Sequence, residues 1–431
     1  MAEKNENSIR PKWAYSTNVY EVNLRQYTPE GTFNAFAKHL PRLKDMGVQV
    51  LWFMPITPIS EKDRHGTLGS YYAIKNYKET NPEYGTIYDF KKLVNQAHEL
   101  KLKVIVDFVA NHTGNDHHWL TDHPEFYVPG ENGEALHPHG WSDVSQLNYD
   151  NREVWRNMID VLKFWIKECD IDGYRCDMAH LVLLDFWIEA KKKVSKLKAN
   201  LFWLAECEEP EYHQVFDVSY TWRWMHATEE FYHHKMNLQS LITVLYKSVT
   251  EFPCDALRLY FTSNHDENSW NGTEYEKYGE AAQLFAVFSC TWDGIPLVYS
   301  GQELPNKKRL KFFEKDEIDW NGNIELHTFY KTLLTLRSNN KSLRGGDPHV
   351  LTQIISHPDD HRVFAYLRKR RSDQVLTILN CYGEGLNFQV KNVVGVFRNV
   401  FGGDDIDFGK TNEVYLNAWG YLVFERIAML S

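Results

Sequence analysis

The chain has 431 residues, a formal net charge of −10, and 43% hydrophobic and 14% aromatic content. That length suits one large domain plus a smaller one, and the acidic balance argues against a nucleic-acid partner. No apolar run approaches the length that crosses a bilayer, so no membrane partner is expected.

The first residues, Met1 to Asn7, are polar and lack the apolar stretch of a secretory leader, which makes cytoplasmic residence the expectation. Val19 to Leu24 reads as a first strand. Gly31-Thr-Phe-Asn then opens a helix, with Phe33, Phe36, Ala37, Leu40, Leu43 and Met46 near one face. Val48 to Pro55 is a continuous apolar run, as a strand buried on both sides should be. Thr86 and Asp89 form a capping-box pattern before a helix with Phe90, Leu93, Val94, Ala97 and Leu100 on one stripe. Lys103 to Val109 is the third strand.

Residues 112–150, rich in His, Gly, Pro, Asp and Trp, separate that strand from the next helix. So long a loop in a compact fold is usually functional, and it predicts a small lobe inserted beside the site mouth. Val154, Met158, Val161 and Trp165 mark the helix that follows. Ile171 to Cys176, Leu201 to Ala205, Val218 to Trp224, Leu257 to Thr262 and Pro296 to Tyr299 supply the remaining strands. The alternation predicts an α/β fold, a (β/α)8 TIM barrel over 13–344 with the inserted lobe after strand 3. Past Gly345-Gly-Asp-Pro348 come short alternating segments separated by turn residues, which predict a C-terminal antiparallel β-sandwich over 345–431. Six cysteines without CxxC or metal spacing read as buried free thiols.

Four segments carry the chemistry: Asp107-Phe-Val-Ala-Asn-His112, Gly173-Tyr-Arg-Cys-Asp177, Leu204-Ala-Glu206 and Ser263-Asn-His-Asp266. Each follows an apolar run, and the C-terminal ends of barrel strands are where such a fold presents catalytic groups. Arg175 and Asp177 share a strand face at i and i+2, so the guanidinium is expected to hold that carboxylate ionised, as a nucleophile needs. Glu206, after Phe202-Trp-Leu-Ala, has the apolar approach that keeps a general acid protonated. Asp177, Glu206 and Asp266 together supply the acids that break a glycosidic bond.

In these segments the chain resembles the α-amylase superfamily of retaining glycoside hydrolases, whose four signature regions they match in order. Tyr71-Tyr-Ala-Ile with Asn81-Pro-Glu-Tyr-Gly-Thr86, Gln146-Leu-Asn148, and Gly294 through Glu303 are similar to three further stretches of that family. The resemblance implies Asp177 as nucleophile, Glu206 as general acid/base and Asp266 as transition-state stabiliser. It implies Tyr72, His112, Arg175 and His265 as groups that bind the sugar, with Tyr72 stacked beneath it; read alone, Tyr72 would be a packing residue. The implied activity is hydrolysis of α-glucosidic bonds, foremost α-1,4 bonds in starch, glycogen or maltodextrins. An exo-α-glucosidase, an α-1,6-glucosidase, a transglycosylase of the trehalose-forming type and a catalytically silent sugar-binding relative remain as alternatives. The expected partner is an α-glucan or malto-oligosaccharide.

Two departures bear on specificity and metal. Met178-Ala-His180 stands where many members carry a Lys-His pair. Gln146 stands where the family usually has an Asp that ligates calcium, and Asn111 alone does not make a site that wants six to eight oxygens. No cofactor is therefore expected. His117, His118, His123, His137 and His139 show no zinc-ligand spacing and read as hydrogen-bonding imidazoles of a solvated loop. Trp119 and Trp141 suit either further sugar subsites or the lobe's own core.

Overall fold

A computed structural model describes residues 10–131, 133–357 and 360–427. Eight parallel strands close a barrel in chain order: β1 Val19–Val22, β2 Val50–Phe53, β3 Lys103–Val109, β4 Gly173–Asp177, β5 Phe202–Ala205, β6 Val218–Tyr220, β7 Leu257–Tyr260 and β8 Ile295–Tyr299. β1 pairs with both β2 and β8, so that Glu21 has Trp52 on one side and Tyr299 on the other.

The strands are buried on both faces because their side chains alternate between two cores. Val19, Val50, Trp52, Ile105, Leu204, Tyr220 and Leu259 form one cluster, in the barrel lumen. Their neighbours Tyr20, Leu51, Val104, Tyr174 and Trp203 belong to the larger cluster beneath the outer helices. The same alternation sends Asp107, two residues past Ile105, into the lumen, opposite Arg175 in the β3–β4 register. Gly173 opens β4 where a Cβ would lie 2.0 Å from the Phe202 carbonyl oxygen, so no larger residue fits against β5.

Several elements differ from expectation. β1 stops at Val22 because the chain turns into a short helix, Leu24–Tyr27. The helix expected over 33–46 is two helices, Phe33–Ala37 and Leu40–Asp45. Pro41 lies in the first turn of the second, where its missing N–H is tolerated but through which the first could not continue. β4 runs to Asp177 rather than starting at Ile171. β6 ends at Tyr220, and Trp222 begins the helix Trp222–Tyr232.

The lobe is anchored by a two-stranded antiparallel sheet that pairs His112 with Gln146 and Gly114 with Val144. Beyond the barrel, a six-stranded antiparallel sheet and the pair Leu386–Gln389 with Glu413–Leu416 share a core of Phe388, Phe397, Val414 and Phe424, the expected β-sandwich. The cysteines are free thiols, buried except Cys254. Among the described residues no helix is long and apolar enough to cross a membrane.

Candidate active site

Arg175 is a fully buried cation with three carboxylates around it. Its Nη1 donates to both oxygens of Asp107, at 3.0 and 3.1 Å, and to Asp177 Oδ1 at 3.0 Å. Its Nη2 lies 2.8 Å from Glu206 Oε2. Asp177 and Glu206 thus sit on the two terminal nitrogens of one guanidinium, at the ends of adjacent strands. Met178 follows in left-handed backbone (φ 41°), a strained conformation for this residue that aims its N–H at Glu206 Oε2, 2.9 Å away.

One guanidinium does not neutralise three buried acids. Burial and then the charge of Glu206 push the Asp177 carboxyl well above its usual range, against the pull of Arg175. Burial also lifts Asp107 to about 6 despite the same cation. Arg175 bonds Asp177 as expected, but shares its single charge with Asp107 and Glu206.

The Tyr72 hydroxyl donates to Asp107 Oδ2 at 3.1 Å and meets His265 Nε2 at 2.7 Å, and the two rings stack 5.4 Å apart. His265 lies between two acids: Nε2 is 3.3 Å from Asp266 Oδ2, and Nδ1 is 2.5 Å from Glu21 Oε1. Burial works against a charged imidazole, but Asp266 and Glu21 outweigh it and raise His265 well above its ordinary value. Burial raises Asp266 in turn, yet the charge and hydrogen bond of His265 hold it below the carboxylate range. For His112 burial dominates and lowers it to about 4, leaving a neutral imidazole.

The seven residues singled out in the sequence are brought together. Tyr72, His112, Asp177, Glu206 and Asp266 line one cavity of about 390 Å³, and Arg175 and His265 contact them. Sequence reasoning passes over Glu21. Its signal is a lone acid in Val19-Tyr-Glu-Val22, where an ion on a doubly buried strand needs a partner.

Aromatic faces complete the walls. Trp270, 52% exposed, stands on a π-helical turn, Glu267–Asn271, and packs on Phe312 at 5.2 Å. The Phe312 ring is within 17° of parallel to Tyr72. Trp141 meets His112 edge-on at 5.7 Å and lines the cavity. Trp119 is instead buried against Tyr77, His117 and Phe126, in the lobe's core.

The lobe's imidazoles have partners other than metal. His118 pairs with Asp122, His123 with Glu125, and His137 Nδ1 with the Val144 carbonyl. His117 is not solvated as expected but buried against Tyr77 and Trp119. Among the described residues no group of three or more His, Cys, Asp or Glu converges as metal ligands would. Asn111 and Gln146 are neutral amides, and Asn111 Nδ2 is turned to His112 Nδ1 at 3.3 Å.

The family model described as the alpha amylase catalytic domain matches residues 5–131 and 131–321. The alpha-amylase MalA of Haloarcula japonica is 27% identical over 388 residues, 86% of this chain and 56% of that protein, so the chain spans little more than half of this curated relative. An alpha-amylase from Lactobacillus plantarum aligns with a TM-score of 0.87 at 28% identity. A maltogenic alpha-amylase from Thermotoga neapolitana aligns at 0.88 and 29%. Both structural alignments cover 96% of this chain and 100% of the other.

Proposed function

The chain belongs to the alpha-amylase family, and on that premise we propose that it hydrolyses α-glucosidic bonds, foremost α-1,4 bonds in starch, glycogen or maltodextrins, with retention of configuration. The observation that carries this reading is the placement of Asp177 and Glu206 on one buried guanidinium at the ends of neighbouring strands. Two carboxyls held so close suit a nucleophile and an acid/base rather than two acids with a water between them.

Glu206 protonates the leaving oxygen while Asp177 attacks the anomeric carbon, and a covalent glycosyl-enzyme forms. Glu206 then takes a proton from the water that hydrolyses it. Asp266 opposes the positive charge that develops on the sugar. Tyr72 offers a flat face, and His112, neutral, exchanges hydrogen bonds with a hydroxyl.

Digestion of maltodextrin, followed by proton NMR of the anomeric region before mutarotation, tests the mechanism. First release of the α-anomer is expected, and first release of the β-anomer would sink double displacement. Chromatography of the same digest tests the specificity. A ladder of short oligomers is expected, whereas glucose alone would mean exo action and a new disaccharide would mean transfer. No product from any α-glucan would leave a silent sugar-binding relative.

A further inference from the structure

Glu21 is a fully buried carboxylate in the barrel lumen, and its Oε1 meets His265 Nδ1 at 2.5 Å. Counting protons shows what that contact demands. Tyr72 has one hydroxyl proton, and Asp107, whose two oxygens both accept from Arg175, takes it. The Tyr72 oxygen, 2.7 Å from His265 Nε2, is left to accept, so Nε2 carries a proton. Burial raises the Glu21 carboxyl while the charge and hydrogen bond of His265 pull it back; held as a carboxylate by that ring it can only accept, and Nδ1 then carries a proton as well. His265 is therefore an imidazolium, with Asp266 as its counter-charge toward the pocket and Glu21 as its counter-charge toward the lumen.

We propose that Glu21 is a positioning residue which, by keeping His265 doubly protonated and fixed in orientation, holds Tyr72 and Asp266 in place for the sugar. This rests on the reading that the pocket binds a glycosyl unit. The ionisable groups around His265 are Glu21 from β1, Tyr72 from the segment after β2, Asp107 from β3, Arg175 from β4 and the adjacent Asp266. Trp52 and Phe312 supply apolar surface at 5.9 and 6.3 Å. Of these groups Glu21 is the one hydrogen-bonded to Nδ1, so neutralising it takes away the ring's counter-charge toward the lumen.

The test compares Glu21→Gln and Glu21→Asp with the wild type. In Glu21→Gln the alkaline limb of kcat/KM on maltodextrin should move to lower pH by about one unit or more, and the value at the optimum should fall on the order of 100-fold. Glu21→Asp, which keeps the charge, should recover much of the limb. Nitrogen-15 NMR, with His265 assigned by its loss in His265→Gln, should find both ring nitrogens protonated at pH 8 in the wild type and a neutral ring in Glu21→Gln. A purely structural role would lower the Tm of Glu21→Gln while leaving the pH profile and the ring shifts unchanged, and that result would overturn the proposal. Should Glu21→Gln fail to fold, the wild-type spectrum decides, since a neutral His265 at pH 8 overturns it too. If no α-glucoside is turned over, the functional reading fails while the NMR measurement still tests this inference.

Discussion

Arg175 sets what the acids around it can do. Asp107, Asp177 and Glu206 crowd a single cation, so this part of the site is held together at some cost to stability. Asp177→Asn removes a charge without changing shape. It should cut turnover of maltodextrin by roughly 10⁴-fold or more, while the thermal melt stays level or rises. Near-normal turnover would remove Asp177 from the nucleophile's role. Glu206→Gln should slow natural oligosaccharides severely, but slow formation of the glycosyl-enzyme from a glycosyl fluoride much less, because fluoride leaves with little protonation. Equal slowing on both substrates would deny Glu206 the acid's role. A fourth acid, Glu274, lies apart from this cluster. Buried, and accepting from Thr262 Oγ1 at 3.0 Å and Gln302 Nε2 at 2.5 Å, it is raised by burial to about 7. A carboxyl raised on folding lends stability below its unfolded value, and that stability is lost as pH rises through about 7. Glu274→Gln should therefore match the wild type near pH 4, and exceed it by up to about 3 kcal/mol at pH 9 in denaturant titrations. Parallel curves would mean that Glu274 ionises normally.

At the level of elements, legibility followed how strongly each segment was bounded. β3 was read to the residue because an apolar run there ends in Asn111 and His112. The Thr86 capping box was read correctly, and both of its hydrogen bonds form. The sequence overextends β6 because Trp222 and Trp224 have strand-like propensity, whereas packing places them on a helix. Pro41 was the missed signal in the broken helix. The lobe closes on itself by hydrogen bonds: Leu147 N–H to the Asn111 carbonyl at 3.0 Å, Asn115 Nδ2 to the Ser142 carbonyl at 2.8 Å, and Tyr149 hydroxyl to the Ala110 carbonyl at 2.7 Å. With those bonds in place and neutral amides at positions 111 and 146, prolonged chelation should shift the Tm by less than about 2 °C. A fall of about 5 °C or more would reveal a cation held by other ligands.

Over the whole molecule, the strand-end groups were legible because the barrel leaves them one place to go. The walls were not. Phe312 and Phe313 arrive by long-range stitching, with Leu68 N–H on the Phe313 carbonyl at 3.0 Å and Arg25 Nη1 on the Phe312 carbonyl at 3.3 Å, which no local pattern announces. The pairing of β1 with β8 has a consequence for biosynthesis. A ribosome adding about 5–20 residues per second needs on the order of 15–60 s to make the chain between them. For that interval β1 waits with one edge open. Nascent chains arrested before Ile295 should be cut readily by protease near β1, and chains extended past residue 344 should resist; early resistance would mean that β1 is ordered without its closing partner. Glu21 also guards the wait. A strand whose inward face carries a carboxylate is a poor recruit for another chain's sheet, so the residue that steadies His265 in the finished enzyme also discourages misassembly before the barrel is complete.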